Sequence, residues 1–318
     1  MSSVGLVLGG GGVTGASFHF GTLFALEMAT GWDPADADVV VGTSCGAVVG
    51  GILRSNALTL EALVGDAAGR EEMADTLGKR LYKRSRPRGL IRWLRHGVVP
   101  GLARPGLQLT VGSPAPYTTD GIVEWMRDQI GDAVDEWPER PTIVVGYEVE
   151  GRRRVAFGTE EAPDTSIGQA AAASSAVPMI FEPVRIQGKR YVDGGISSGT
   201  SADLLLAADE PLDLVIVSAP MASVETRQGA RFYESILDRL GGTALADELD
   251  AIHEAWPDTD VLVLRPDRTV LEEARPNPMS AAAAVPAFLR TLRAMRTELA
   301  RPGVWSVLER HLLVPNHR

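Results

Sequence analysis

Two short apolar strands, each running into a glycine-rich turn and then a helical pattern, constrain the fold of this chain most strongly. Residues 4–8 (VGLVL) lead into four glycines and a helical pattern over about 15–29. Residues 39–41 (VVV) lead, through Gly42, into a second helical pattern over about 45–55. Strand–glycine–helix units in tandem favour a parallel sheet covered by helices. We therefore predict an α/β fold with a mostly parallel central sheet.

The rest of the chain extends this pattern as one domain over residues 1–318. The predicted core covers about 4–218, and 219–318 adds a strand and helices packed on the same domain. Residues 60–115 differ, because prolines repeatedly interrupt their helical segments, and we expect a helical cap insertion there. The further predicted helices are 120–130, 166–175, 226–252 and 280–300, and the further strands are 142–150, 153–157, 184–186, 190–192, 214–218 and 261–264.

Composition excludes several classes of protein. The 318 residues are 45% hydrophobic and 23% charged, which is typical of a globular enzyme that needs no disulfide or metal to fold. The single cysteine, Cys45, fits a reducing cytoplasm, and a net charge of −10 argues against a dedicated nucleic-acid protein. The start, MSSVGLVLGGGG, lacks a basic secretory region, and no apolar run is long enough to span a membrane. We expect a cytoplasmic protein that meets lipid only from the surface.

The first glycine-rich turn has the G-x-G-x-x-G spacing at Gly10, Gly12 and Gly15. Glycines let backbone N–H groups point outward, and the following helix adds its positive end, so such a turn can hold a phosphate or an oxyanion. A dinucleotide site would need an acidic residue at the end of the second strand, where this chain has Gly42-Thr43-Ser44. A P-loop would need a lysine, which is missing. A tight structural turn is the other interpretation.

The second turn, Gly42-Thr43-Ser44-Cys45-Gly46, has the G-x-S-x-G pattern between a strand and a helix. This context is typical of a nucleophile elbow, in which small residues on both sides let strand and helix approach while the serine is pushed outward. The alternative is a buried turn whose serine only satisfies a hydrogen bond. Because an elbow presents its middle residue, we interpret Cys45 as a small packed residue and not as the nucleophile.

A third polar site follows the predicted strand 190–192. Asp193 precedes Gly194 and Gly195, so a carboxylate at the mouth of a strand has backbone space beside it. A serine nucleophile needs a base that accepts its proton. Asp193 is one candidate for that base, although an Asp-Gly-Gly sequence is also a frequent turn.

Histidines offer the other candidate bases. Ser44, Asp193 and His253 follow the chain order of α/β-hydrolase triads, but His253 lies in a charged helical stretch, ADELDAIHEAW. We therefore expect His253 on a solvated helix face. His19 lies on the helix after the glycine loop, where we expect it to be packed and not catalytic.

Three segments together resemble the patatin-like phospholipase family. They are LVLGGGGVTG after the first strand, GTSCGA after the second, and ASSAVPMIFEPVRIQGKRYVDGG far downstream. Each motif alone is common, but their order and context are specific. The resemblance covers about 4–55 and 165–218.

The resemblance implies a three-layer α/β/α sandwich and a Ser–Asp dyad without histidine. By this resemblance Ser44 would be the nucleophile and Asp193 its base, and the amides of Gly10, Gly11 and Gly12 would form the oxyanion hole. It implies lipid or related ester substrates and no metal or organic cofactor. The family usually has arginine where this chain has Thr14, so a cationic contribution from that position is not expected.

Rival functions remain at this stage. An α/β-hydrolase esterase with a Ser–Asp–His triad is disfavoured, because its nucleophile usually follows several strands and Ser44 follows the second. An acyltransferase could use the same serine. A non-catalytic phosphate-binding module could be built on the glycine loop alone.

Residues 79–95 (KRLYKRSRPRGLIRWLR), from Lys79 to Arg95, contain eight basic and no acidic residues. Leucine, isoleucine and tryptophan side chains lie among them. A basic segment with an embedded tryptophan can contact an anionic membrane peripherally. The alternative is a solvated cap helix that forms salt bridges with acidic neighbours.

Overall fold

The computed structural model describes residues 2–60, 70–85, 115–223, 232–273 and 277–313. Within them, eight strands form one sheet in the order β10-β9-β1-β2-β5-β8-β7, and β6 pairs with β5 as well. The strands are β1 (Val4–Leu8), β2 (Val39–Thr43), β5 (Thr142–Glu148), β6 (Arg153–Phe157), β7 (Val184–Ile186), β8 (Lys189–Asp193), β9 (Leu214–Ser218) and β10 (Asp260–Leu264).

The strand pairing confirms a mostly parallel sheet. Neighbours from β10 through β9, β1 and β2 to β5 run parallel. The pairs β5–β6, β5–β8 and β7–β8 are antiparallel. Since the parallel strands are buried on both faces, they consist almost entirely of aliphatic residues.

Helices cover both faces of the sheet, as an α/β/α arrangement requires. Successive strand residues point to opposite faces, so Leu6 and Leu8 pack with Phe18 of α1 (Gly12–Thr30) while Val7 packs with Leu245 of α6 (Phe232–Ala255). The helices are α1 (Gly12–Thr30), α2 (Cys45–Arg54), α3 (Arg70–Leu81), α4 (Asp120–Ile130), α5 (Ile167–Ser174), α6 (Phe232–Ala255), α7 (Arg268–Glu273), α8 (Ala284–Leu299) and α9 (Pro302–His311).

The predicted cap insertion is described only at its two ends. Helix α3 precedes β3 (Lys83–Arg84), which pairs antiparallel with β4 (Tyr117–Thr118). The centre of the predicted insertion lies outside the described residues. The two-stranded ladder was not predicted, because strands this short have no periodicity to detect.

Most predicted elements agree with the structure within a few residues. Strands 153–157, 184–186 and 214–218 match in full, and the helices begin or end within a few residues of their predicted bounds. Helices α7 and α9 were missed. The first is only six residues long, and short helices carry little sequence signal.

Candidate active site

The register of the sheet brings Ser44 and Asp193 together. Thr43, the last residue of β2, pairs with Val145 of β5. Asp193, the last residue of β8, pairs with the next residue of β5, Gly146. Because Ser44 directly follows Thr43, two residues 149 positions apart in sequence become neighbours at one point of the sheet.

Ser44 lies on a strained turn between β2 and α2. Its backbone has φ 54° and ψ −121°, which side-chain-bearing residues rarely adopt and which costs about 1–3 kcal/mol. The flanking glycines permit the turn: a Cβ on Gly42 would lie 2.7 Å from the Ala47 Cα, and one on Gly46 would lie 1.9 Å from the Leu8 oxygen. Neither position can hold a side chain without moving backbone, so the geometry is that of an elbow.

The Ser44 hydroxyl donates a hydrogen bond of 2.6 Å to Oδ2 of Asp193. The Gly195 N–H donates to the other carboxylate oxygen, Oδ1, at 2.7 Å. The Asp193 N–H in turn donates to the Ala176 carbonyl at 3.1 Å, which fixes the end of β8. Two hydrogen bonds therefore orient the carboxylate, and a third fixes the backbone that carries it.

The glycine after Asp193 is required by packing. A Cβ on Gly194 would lie 2.2 Å from the Val145 oxygen, so this position must be glycine for β8 to meet β5.

Both Ser44 and Asp193 are largely buried, with 7% of each residue exposed. Burial raises the pKa of Asp193 to about 6, against the smaller opposing effects of the hydrogen bonds from Ser44 and Gly195. A carboxyl with this pKa is a proton acceptor suited to neutral pH.

Two serines, Ser174 and Ser175, hold the backbone of Ser44, and neither was predicted as a site residue. The Ser44 N–H donates to the Ser174 hydroxyl at 2.8 Å, and that hydroxyl donates to the Val145 carbonyl at 2.6 Å. The Ser175 hydroxyl donates to the Ser44 carbonyl at 3.1 Å. Both serines lie in the segment ASSAVP, so the only available signal was a pair of polar residues at the end of a helix of small residues.

The glycine loop lies beside Ser44, where a Cβ added to Gly10 would come within 3.4 Å of the Ser44 Cβ. The Gly10 N–H donates to the Gly199 carbonyl at 2.8 Å, so it is engaged within the protein. Among the residues that the structure describes, no backbone oxygen accepts from the N–H of Gly11 or Gly12. Gly12 also has φ +66°, and a Cβ there would lie 2.7 Å from the Met279 sulfur.

His19 is fully buried and holds the glycine loop, in agreement with its predicted packed role. Its Nε2 lies 2.6 Å from the Gly9 carbonyl oxygen, and its Nδ1 lies 2.8 Å from the Ser218 hydroxyl. Because a carbonyl can only accept, Nε2 carries the proton and Nδ1 accepts from Ser218. Burial lowers the pKa of His19 to about 4, so the ring is neutral at neutral pH.

The other nucleophile and base candidates are placed as expected. Burial, followed by the charge of Asp193, raises the pKa of the Cys45 thiol well above its usual range, so the thiolate is disfavoured. The Cys45 Sγ donates to the Gly9 carbonyl at 3.6 Å. His253 is exposed on α6, where its Nδ1 contacts the Leu249 carbonyl of the preceding turn.

Thr14 supplies no charge to the site. Its hydroxyl donates to the Pro278 carbonyl at 3.4 Å, and its N–H donates to the same oxygen at 3.0 Å. Thr14 does not line the cavity at Ser44. The position therefore serves to anchor α1 to the segment before α8.

An apolar cavity of about 90 Å³ opens at Ser44. Helices α1 to α4 supply most of its walls, and the hydroxyl-bearing residues of its lining include Ser17, Ser44 and Ser175. Apolar side chains among its lining include Phe20, Val48, Leu81, Ile122, Trp125 and Phe181. A cavity of this chemistry accommodates a hydrocarbon chain and not a charged ligand.

Three basic side chains at the start of the segment 79–95 form ion pairs. Lys79 lies 2.5 Å from Asp75, Arg80 lies 3.0 Å from Asp128 of α4, and Lys83 pairs with Glu124. These contacts support the solvated, salt-bridged alternative for the described part. Residues 86–95, which contain the tryptophan and most of the arginines, lie outside the described residues.

The chain is an α/β protein in which an apolar cavity opens at a serine that is hydrogen-bonded to a buried carboxylate. A family model described as "Patatin-like phospholipase" matches residues 6–206, more than half of the chain. The chain belongs to the patatin-like phospholipase family, and the resemblance found in the sequence is confirmed. Membership of this family supports a function as a lipid hydrolase.

Among solved structures, the chain is similar to VipD from Legionella pneumophila, with 15% identity, a TM-score of 0.39, and 93% of this chain and 67% of that chain covered. It is also similar to human GIVD cytosolic phospholipase A2 in complex with methyl gamma-linolenyl fluorophosphonate, with 13% identity, a TM-score of 0.39, and 98% and 60% covered. A third similar structure is the ExoU–SpcU complex from Pseudomonas aeruginosa, with 19% identity and a TM-score of 0.26. The match covers 98% of this chain and 66% of that chain.

The chain thus spans between 60% and 67% of the length of these three proteins. No curated protein sequence matches the chain. No helix among the described residues is both long and apolar enough to cross a membrane.

Proposed function

We propose that this chain is a serine acyl hydrolase that cleaves carboxylic esters of lipids. The observation that carries the proposal is the 2.6 Å hydrogen bond to Asp193 from the hydroxyl of Ser44, a residue that lines an apolar cavity. The hydroxyl is aimed at a base, the base has a pKa near neutrality, and the cavity beside them suits an acyl chain.

The first half of the reaction forms an acyl-enzyme. Ser44 Oγ attacks the ester carbonyl carbon while its proton passes to Asp193. The tetrahedral intermediate collapses, the C–O bond to the alcohol breaks, and Asp193 returns the proton to the leaving oxygen. In the second half, water loses a proton to Asp193 and attacks the acyl carbon, and Ser44 regains its proton as the acid leaves.

The negative oxygen of the intermediate requires hydrogen-bond donors that are already oriented. We assign this role to the N–H groups of Gly11 and Gly12, which no described backbone oxygen engages. The Gly10 N–H, which we also expected to contribute, is used by Gly199 and would have to break that bond. The N-terminal end of α1 adds a favourable dipole at the same place.

The rival functions have weaker support. Among the histidines that the structure describes, none is placed as the base of a Ser–Asp–His triad: His253 is solvent-exposed on α6, His19 is bonded to Gly9 and Ser218, and His311 contacts Ser2 and Asp260. A phosphate-binding module would not need a serine hydrogen-bonded to a buried carboxylate. An acyltransferase would share the first half of the reaction and differ only in the acceptor.

Labelling by a fluorophosphonate probe tests the proposal most directly. We expect the wild-type protein to be labelled and the Ser44→Ala variant to remain unlabelled. Hydrolysis of chain-graded p-nitrophenyl esters and phospholipids then separates a hydrolase from an acyltransferase. A wild-type protein that neither reacts with the probe nor hydrolyses any ester would contradict the proposal. Peripheral membrane contact through residues 79–95 and cytoplasmic localisation stay predictions.

The pKa of Asp193 predicts the acid limb of the pH profile. The base must be ionised to accept the serine proton, so kcat/KM for a soluble ester should fall about tenfold per pH unit below about pH 6. The limb should persist in His253→Ala, since that side chain is solvent-exposed. An acid limb near about pH 4, where an ordinary carboxyl titrates, would show that burial does not raise the pKa of the catalytic base.

The cavity predicts selectivity for the acyl chain. Val48 lies one helical turn after Ser44 and lines the cavity, so Val48→Phe should fill space that a long acyl chain occupies. We expect turnover of long-chain esters to fall by about tenfold or more while acetate esters are spared. The matched control is Val123→Phe, a half-buried position on α4 outside the cavity lining. Equal losses for short and long esters would contradict this assignment.

A further inference from the structure

Glu248 on α6 is a buried carboxylate that the proposed reaction does not use. Only 7% of the residue is exposed, yet both of its oxygens accept hydrogen bonds from a single segment, residues 198–202. Oε1 accepts from the Ser198 hydroxyl and from the Ser201 N–H at 3.1 Å, and Oε2 accepts from the Thr200 hydroxyl at 2.6 Å and the Ala202 N–H at 2.8 Å. Four donors from four residues thus meet one side chain.

The segment that Glu248 holds has a strained conformation. Ser201 has φ 57°, a left-handed backbone that favours glycine, immediately before the short 3₁₀ helix Ala202–Ala207. Within the described residues, the Ser201 hydroxyl has no hydrogen-bond partner, so it does not cap this helix. Glu248 supplies the missing acceptors from a distant part of the chain, and the conformation of the segment depends on it.

The same segment contacts two parts of the candidate active site. The Gly199 carbonyl accepts the Gly10 N–H at 2.8 Å and so fixes the glycine loop. The Thr200 carbonyl accepts the Thr43 hydroxyl at 3.4 Å, one residue before Ser44. A shift of residues 199–200 would therefore reorient the Gly10 peptide, and with it the neighbouring amides that we assign to the oxyanion.

We propose that Glu248 is a positioning residue that fixes the glycine loop through residues 198–202. The inference rests on the proposed function, because it concerns the rate of that reaction. Glu248 lies beyond residue 206, where the match to the family model ends. The C-terminal part of the chain therefore contributes to catalytic geometry and does not only cover the sheet.

The test is steady-state hydrolysis of a soluble p-nitrophenyl ester by Glu248→Gln. Glutamine keeps one acceptor oxygen, so two of the four donors lose their partner. We expect kcat to fall by about tenfold to a hundredfold, because a misplacement near 1 Å has effects of this size. KM should change by less than about threefold, because residues 198–202 do not line the acyl cavity.

Asp203→Asn is the matched control. Asp203 lies on the 3₁₀ helix Ala202–Ala207, pairs with Arg154 through bonds of 2.8 and 2.5 Å, and is not one of the four residues that donate to Glu248. Loss of the Asp203 charge should lower the melting temperature but leave kcat unchanged. If in both Asp203→Asn and Glu248→Gln the loss of kcat is proportional to the decrease in melting temperature, Glu248 has only a structural role and the proposal is overturned.

Thr200→Val decides the question if Glu248→Gln does not fold. It removes a single donor to Glu248 and retains the shape of the side chain. We expect a kcat several-fold below wild type with an unchanged KM, and an unchanged kcat would overturn the proposal. A wild-type protein without any ester turnover would instead overturn the proposed function, so the two failures are distinct.

Discussion

Replacing Ser44 by alanine, or Asp193 by asparagine, is expected to lower ester turnover by about a thousandfold or more, because nucleophile and base act as a unit. Alanine removes the attacking oxygen, and asparagine cannot accept the serine proton. The double variant should therefore be little worse than either single variant. The measurement is kcat/KM for a soluble p-nitrophenyl ester, with circular dichroism to show that each variant is folded.

Two further variants make this prediction specific. Cys45→Ala should keep most of the activity, because burial disfavours the thiolate and the sulfur already donates to Gly9. His253→Ala should also remain active, because its ring lies on an exposed helix face. An inactive His253→Ala beside an active Asp193→Asn would replace the Ser–Asp assignment with a histidine base.

The turn that presents Ser44, the proposed nucleophile, could be predicted from sequence because its signal is local. Gly42 and Gly46 flank Ser44, and each is glycine because a Cβ would collide with backbone or a neighbouring residue. Asp193 was one of several candidate bases in the sequence, and its pairing with Ser44 was predicted only by resemblance, since that pairing depends on how β2 and β8 meet β5. Strand register across such a separation is a tertiary property that local patterns do not contain.

The supporting residues could not be predicted, for the same reason. Ser174 and Glu248 act through hydrogen bonds to segments that are distant in sequence, and serine and glutamate are common in any helix. The engagement of Gly10 by Gly199 was equally hidden, because glycine has no side chain that could suggest a partner. Local sequence indicated the candidate residues, and tertiary contacts decided which amide of the glycine loop a backbone carbonyl engages.

The raised pKa of Asp193 also has a consequence for stability. Burial raises this pKa from 3.8 to about 6, so the folded protein binds the proton more tightly than the unfolded chain does. The stabilising contribution of the protonated carboxyl is fully present below the unfolded pKa, and it is lost as pH rises through about 6. At neutral pH the ionised carboxylate therefore lowers the free energy of unfolding by about 3 kcal/mol, because each unit of the pKa difference between the folded and unfolded chain corresponds to about 1.4 kcal/mol.

Asp193→Asn is therefore expected to be inactive and yet more stable than the wild-type protein at neutral pH. Asparagine is uncharged at every pH, and its oxygen can still accept from the Gly195 N–H. The difference in melting temperature should be largest near about pH 8 and should vanish below about pH 3, where the Asp193 carboxyl is protonated in both the folded and the unfolded chain. Asp135→Asn is the control of opposite sign, because the hydrogen bond from Arg127 lowers the pKa of that exposed carboxyl. An increase in the melting temperature of Asp193→Asn that is independent of pH would come from packing. No increase at all would mean that the carboxylate is stabilised as well in the folded protein as in water.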